Sequence, residues 1–146
     1  MTIRVLFVCT GNSARSIMAE ATLRHQGGDA FEVHSAGTHP STVNPLTLRV
    51  LAEVGIDTSE ARSKSVDEFA GQAFDYVITV CDQARQACPV FPGDGPRLHW
   101  GYEDPAAAVG TEEERLVVFR HVLTQLGERI HQFIPIAVRE HTTVQS

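Results

Sequence analysis

No stretch of this 146-residue chain approaches the ~18 uninterrupted apolar residues that a membrane span needs, so a soluble domain is the default expectation. Basic residues are the minority. Twelve Lys and Arg stand against 18 Asp and Glu, a net charge of −6, which argues against nonspecific nucleic-acid binding and against a polybasic membrane anchor. An anionic ligand must therefore be held by local geometry. Cysteine is scarce and odd in number: three thiols disfavour a structural disulfide framework and favour thiol chemistry or inert buried side chains. The N-terminal apolar stretch, Ile3 to Val8, is short and has no small-residue cleavage site after it, so it reads as a strand and not a signal peptide. The cytoplasm is the expected compartment. With 42% hydrophobic and 21% charged residues the composition is globular, and the length is close to the ~150 residues of one domain. There is no internal repeat and no low-complexity segment.

Along the chain, strands and helices alternate. Residues 3 to 8 are rich in β-branched and aromatic side chains and stop at the turn-forming run Cys9-Thr10-Gly11-Asn12-Ser13. A helix follows from Ser16, patterned by Ile17, Met18, Ala21 and Leu23 and stopped by Gly27-Gly28. Phe31 to Ser35 reads as a second strand closed by Gly37, Pro45 to Val54 as a helix ended by Gly55, and Val66 to Phe69 as a short helix. Asp75 to Val80 is the clearest later strand and runs straight into Cys81, and Leu98 to Trp100 is a short fourth strand. Thr111 and Glu114 have capping-box spacing, and Leu116, Phe119, Leu123, Leu126, Ile130 and Phe133 then share one helical face. The reading is a single-domain α/β three-layer sandwich around a four-stranded parallel sheet, spanning residues 1–135, with a polar C-terminal tail over 136–146. Such sheets bind ligands at the carboxyl ends of their strands, where Cys9 and Cys81 both lie.

The segment Cys9-Thr10-Gly11-Asn12-Ser13-Ala14-Arg15-Ser16 carries the chemistry. Consecutive backbone N–H groups of a loop between strand and helix form a concave anion site, and Arg15 adds a planar fork for two oxyanion oxygens. The same field favours the Cys9 thiolate near neutral pH, and the Ser16 hydroxyl is placed to donate to its sulfur. Gly11 and Asn12 tolerate the left-handed backbone that turns successive amides inward. Cys81 and Cys88, seven residues apart, are either buried small hydrophobes or a redox pair, and a nucleophilic Cys9 favours the pair. Their spacing is no zinc hook, the histidines show no ligand spacing, and no metal or organic cofactor is expected. Asp104, before Pro105, is either a turn aspartate or a general acid. Trp100 reads as packing beneath the Asp104 loop.

These residues resemble the low-molecular-weight protein tyrosine phosphatase superfamily, in which a strand delivers a C-x5-R-S loop near the N-terminus. Within it the likeness is to the thioredoxin-coupled arsenate reductases. It runs over nearly the whole chain, through Met18-Ala19-Glu20, Ser35-Ala36-Gly37-Thr38, Cys81 and Cys88 with Pro89, the block from His99-Trp100-Gly101 to Ala106, and Gly110 to Glu114. The resemblance implies that arsenate, with phosphate or sulfate as competing oxyanions, binds the loop from Thr10 to Ser16. It further implies that Cys9, Arg15, Cys81, Cys88 and Asp104 are catalytic, that Asp104 is the general acid, and that thioredoxin returns the electrons. A tyrosine phosphatase using the same loop, and a noncatalytic anion-binding or redox-sensing regulator, stand as alternatives.

Two departures from the family pattern matter. Ala14 stands where many members have a cysteine. One branch of the reductases holds a potassium ion at positions that match Asn12, Glu20, Ser35 and Lys64, the last usually an aspartate. A lysine repels a cation, so the resemblance carries no potassium site onto this chain. Instead the Lys64 ammonium is expected to supply a fixed positive charge near Glu20.

Overall fold

The computed structural model describes residues 2–93 and 95–145. Strands β1 (Ile3–Cys9), β2 (Phe31–Gly37), β3 (Tyr76–Thr79) and β4 (Arg97–His99) form one parallel sheet in the order β2-β1-β3-β4. Four helices accompany them: α1 (Arg15–Gly27), α2 (Pro45–Glu53), α3 (Asp82–Ala87) and α4 (Glu112–Gln145). The short helix expected over Val66–Phe69 is present, as a 3-10 helix. Val5, Leu6, Phe7 and Val8 are all fully inaccessible. Successive strand residues point to opposite faces, so both faces of the sheet are covered, which makes the expected three-layer α/β sandwich. Among the described residues no helix is long and apolar enough to cross a membrane.

β1 pairs with β2 on one side, Cys9 opposite Gly37, and with β3 on the other, Val8 opposite Thr79. The strand order therefore reverses direction at β1, and the crevice between the carboxyl ends of β1 and β3 is the topological switch point. Cys9 ends one of these strands, and Cys81 follows the other by two residues.

Local signals explain the helix starts. Asn44 caps α2, its side chain accepting the Leu46 N–H at 2.9 Å, with Pro45 in the first helical position. The capping box at α4 is reciprocal: Glu114 N–H donates to Thr111 Oγ1 at 3.1 Å, and Thr111 N–H to Glu114 Oε1 at 3.3 Å. The six apolar residues read as one face of α4 are all buried.

The polar tail expected past Pro135 is instead a continuation of α4, which runs through the proline to Gln145; Ser146 lies outside the described residues. A proline inside a helix forfeits one backbone hydrogen bond. Tertiary contacts hold the last turns nevertheless: Ala137 is fully buried, the His141 ring lies 5.6 Å from that of Tyr76, and its Nε2 is 3.3 Å from Asp75 Oδ1. The boundary at residue 135 is thus crossed by a continuous helix.

Candidate active site

The loop after β1 is anchored by its carbonyls. Cys9 O accepts from Thr38 N–H (3.1 Å), Thr10 O from His39 N–H (2.8 Å), and Gly11 O from Ser41 N–H and the Ser63 hydroxyl (both 3.0 Å). Ser13 O accepts from Asn44 N–H (3.1 Å) and the Thr47 hydroxyl (3.0 Å). A trans peptide sets its C=O and N–H on opposite sides, so anchoring these oxygens outward turns the following amides, those of Thr10, Gly11, Asn12 and Ala14, toward the centre of the loop. The Asn12 N–H does point there, 3.2 Å from Cys9 Sγ. α1 begins at Arg15, and its cap position, Ala14, makes no side-chain capping bond, so no side chain of that residue competes for the first-turn amides. The result is a concave set of donors around a buried sulfur.

Asn12, and not Gly11, takes the left-handed conformation, with φ of 48°. Its side chain explains why this is tolerated. The Lys64 backbone N–H donates to Asn12 Oδ1 at 2.9 Å, which fixes the amide orientation, and Asn12 Nδ2 then donates to Ser16 Oγ (2.8 Å) and Ser35 Oγ (3.0 Å). With Ser16 Oγ accepting from Asn12, its own proton is free for Cys9 Sγ, 2.8 Å away. Donors thus run in one direction, Lys64 N–H to Asn12 to Ser16 to the sulfur, through side chains of which Asn12 and Ser16 are wholly buried.

Behind this chain sits a buried charge pair. Ser35 Oγ donates to Glu20 Oε1, and Arg24 Nη2 reaches Glu20 Oε2 at 2.7 Å. Lys64 Nζ lies 3.6 Å from Glu20 Oε1 and donates to Arg62 O at 3.0 Å. Burial pushes the Lys64 pKa below its ordinary value, and the Glu20 charge opposes that shift. The structure therefore brings Asn12, Glu20, Ser35 and Lys64 together. These residues do not fit a potassium ion, because the ammonium already faces the oxygens that would ligate it.

Arg15 leaves the start of α1 toward the opposite wall, where its Nη1 donates to Tyr102 O at 3.0 Å and its Nη2 lies 3.7 Å from Asp104 Oδ2. Asp104 adopts the extended backbone that Pro105 requires, and its Oδ1 accepts the Ala106 N–H at 3.0 Å, capping a 3-10 turn over Pro105–Ala107. One carboxylate oxygen is held by the turn and the other faces Arg15. Trp100 is buried and packs on Phe7 and Phe133 at ring distances of 5.9 and 5.4 Å.

Cys81 is buried, and its Sγ lies 3.3 Å from Thr10 Oγ1, on the residue next to Cys9. Arg15, Cys81, Asp82, Gln83, Gly101, Tyr102, Glu103 and Asp104 line one open cleft. Cys88 is not in it. It caps the far end of α3 and lines a separate depression with Arg85, Arg97 and His99; burial there raises its pKa against the influence of Arg97.

Gly37 is a residue whose importance local sequence does not signal. A Cβ there would stand 2.5 Å from Thr10 O, 3.0 Å from Asn12 N and 3.1 Å from Asn12 Cβ, so the end of β2 presses directly on the anion loop. Ser41, Thr47 and Ser63 carry no local sequence signal for a similar reason: each reaches the loop from at least 30 residues away. Among the described residues no group of three or more His, Cys, Asp and Glu side chains is arranged to hold a metal ion.

Comparison with known proteins agrees with this geometry. Residues 4–144 match the family described as low molecular weight phosphotyrosine protein phosphatase. An arsenate reductase of Halalkalibacterium halodurans is 44% identical over 129 residues, covering 88% of this chain and 93% of that protein. Among solved structures, an arsenate reductase in the phosphate binding state superposes with a TM-score of 0.74 at 32% identity, over 93% of this chain and 99% of the other. A thioredoxin-dependent arsenate reductase of Corynebacterium glutamicum also gives a TM-score of 0.74, at 30% identity, over 95% of this chain and 63% of the other. This chain belongs to the low molecular weight phosphotyrosine protein phosphatase family and, within it, groups with the arsenate reductases.

Proposed function

We propose that this protein is an arsenate reductase that passes two electrons through Cys9, Cys81 and Cys88 and recovers them from thioredoxin. Arsenate is held by the loop amides of Thr10 to Ser16 and the Arg15 fork, in competition with phosphate and sulfate. The Cys9 sulfur attacks arsenic and displaces hydroxide, which Asp104 protonates as it leaves. Cys81 then attacks Cys9 Sγ. The arsenic–sulfur bond breaks with its electron pair remaining on arsenic, arsenite departs, and a Cys9–Cys81 disulfide forms. Cys88 displaces Cys9 by thiol exchange, and a dithiol donor reduces the Cys81–Cys88 disulfide. A reducing compartment, the cytoplasm, suits that chemistry.

The observation that carries this reading is the burial of Cys81 against Thr10 at the mouth of the Cys9 loop. Phosphate ester hydrolysis needs only the loop and an acid, and gives a thiol in that place no task. Cys81 and Cys88 bracket α3, where ~1.5 Å of rise per residue separates them by about 10 Å, beyond the ~7 Å limit for a disulfide. α3 must therefore unwind during turnover. Purified protein given arsenate, thioredoxin, thioredoxin reductase and NADPH should release arsenite continuously. Hydrolysis of p-nitrophenyl phosphate without arsenite release would favour the phosphatase reading, and no turnover of either compound the regulator.

A further inference from the structure

His99 lies outside the relay, yet its ring is bonded at both nitrogens. Nδ1 is 2.7 Å from Thr79 Oγ1 and Nε2 is 2.9 Å from Asp82 Oδ1. Asp82 is the first residue of α3 and directly follows Cys81. We propose that His99, acting through Asp82, is a positioning residue that holds α3 wound in the reduced protein and so sets how readily the Cys81–Cys88 disulfide forms. This role rests on the relay proposed above.

The atoms permit one orientation. An ionised carboxylate only accepts, so Nε2 carries a hydrogen toward Asp82. Thr79 Oγ1 also lies 3.4 Å from Leu98 O, which gives its proton two outlets. It donates to Nδ1 when the imidazole is neutral, and to Leu98 O when Nδ1 is itself a donor. The clasp is thus complete in either charge state of His99.

Its two halves differ in mobility. His99 ends β4 and is followed by Trp100, which is buried and whose N–H donates to Thr79 O at 2.8 Å. Asp82 belongs to a six-residue helix with one buried side chain, Ala84, and no side-chain cap at Cys81. A helix so short does not hold itself together in water. Besides the clasp, Gln83 Oε1 accepts from Thr10 Oγ1 at 3.3 Å. Gly101 gives an independent indication, since a Cβ there would stand 3.3 Å from His99 Nε2 and 3.8 Å from Asp82 Oδ1. The absence of a side chain at this position lets the chain pass over the bond without pressing on it.

The clasp acts on one step. In the exchange, the Cys88 thiolate attacks Cys81 Sγ of the Cys9–Cys81 disulfide, a Cys81–Cys88 bond forms and Cys9 leaves as thiolate; arsenate has already taken the two electrons. A dithiol later returns two electrons and two protons. Closing the Cys81–Cys88 bond unwinds α3 from its reduced arrangement and strains the Asp82 bond, so the clasp stabilises the reduced pair. An exposed hydrogen-bonded pair of this kind, an ion pair only when His99 is protonated, changes an equilibrium by a factor of about three to five. At 29.6 mV per tenfold this is about 14–21 mV in the midpoint potential of the pair.

The test is a redox titration of the whole protein in dithiothreitol buffers, with Cys81 and Cys88 scored by alkylation and mass mapping. His99→Gln should lower the midpoint by about 14–21 mV. Gly101→Ala, which leaves both partners in place but presses a methyl on the bond, should shift it in the same direction. The double variant should shift it no further than His99→Gln alone. An unchanged midpoint in folded His99→Gln, or fully additive shifts, would overturn this role while leaving the relay standing. A wild-type protein that forms no Cys81–Cys88 disulfide overturns the relay and this role together.

Discussion

Gly37→Ala subjects the site's construction to a demanding perturbation, because it adds one methyl group and touches no reacting atom. The new Cβ would stand 2.5 Å from Thr10 O, where ordinary contact begins at 3.4 Å, so the two must separate by about 0.9 Å. Neither side yields easily: Thr10 O accepts the His39 N–H at 2.8 Å, and Gly37 N–H donates to Lys64 O at 2.8 Å. Productive geometry tolerates about 0.5 Å, and a misplacement of ~1 Å costs on the order of 100-fold in rate. The same overpacking should destabilise the fold by about 1–3 kcal/mol, which for a domain of this size lowers Tm by roughly 3–9 °C. Thioredoxin-driven arsenite release and a thermal melt read both effects. Gly127→Ala is the control: inside α4, its Cβ meets only Gln26 Nε2 at 3.8 Å, so it should leave the rate unchanged and stabilise by about 0.5–1 kcal/mol. A Gly37→Ala protein within about threefold of wild-type rate and about 1 °C of its Tm would refute the claim that β2 positions the loop.

Arg15→Lys should lower arsenite-forming kcat/KM by about 100-fold or more, since an ammonium cannot reproduce the planar fork; near wild-type kinetics would remove Arg15 from the site. Lys64→Met should destabilise the protein by about 2 kcal/mol in chemical denaturation, less than a fully stranded buried charge would cost, because Arg24 still pairs with Glu20. The pH dependence has a definite sign. With the Lys64 pKa lowered by burial, the folded protein releases that proton before the unfolded chain does, so Lys64 stabilises increasingly as pH rises from the lowered value toward 10.5. The stability gap between wild type and Lys64→Met should accordingly widen with pH across that window, and a gap that narrows would contradict a buried ammonium. Melting temperature should respond equally to potassium and sodium at constant ionic strength, whereas a potassium-specific rise would restore a cation site. In the reduced protein, Cys88 alkylation should keep accelerating beyond pH 9.0, the ordinary value for a thiol, because burial raises its pKa; a plateau below that pH would contradict its burial.

Local chemistry made much of the fold legible. β1, the capping box at Thr111 and the apolar face of α4 follow from patterns a few residues long, and each is found within a residue or two of where those patterns end. The Cys9 loop was legible because a nucleophile, a glycine, an arginine and a serine lie between a strand and a helix. The rest depends on contacts distant in sequence. Pro135 reads as a helix terminator until the burial of Ala137 and the contacts of His141 with β3 and its flank are seen. By sequence Gly11 and Asn12 both suit the left-handed backbone, and it is Asn12 that takes it because Lys64, 52 residues away, fixes its side chain. Lys64 could equally have been a surface lysine by sequence, and it is the fold that sets its ammonium beside Glu20. His99 shows no ligand spacing by sequence, and its partners lie 20 and 17 residues earlier.

The central claim is that electrons pass from Cys9 to Cys81 and then to Cys88, and Cys88→Ala tests it most directly. Incubated with arsenate and no reductant, this variant should release a single arsenite per chain and accumulate a Cys9–Cys81 disulfide detectable by mass mapping. With thioredoxin, its reductase and NADPH added, it should fail to turn over further. Sustained thioredoxin-driven arsenite release by Cys88→Ala would contradict the three-cysteine relay, even with Cys9 retained as the nucleophile.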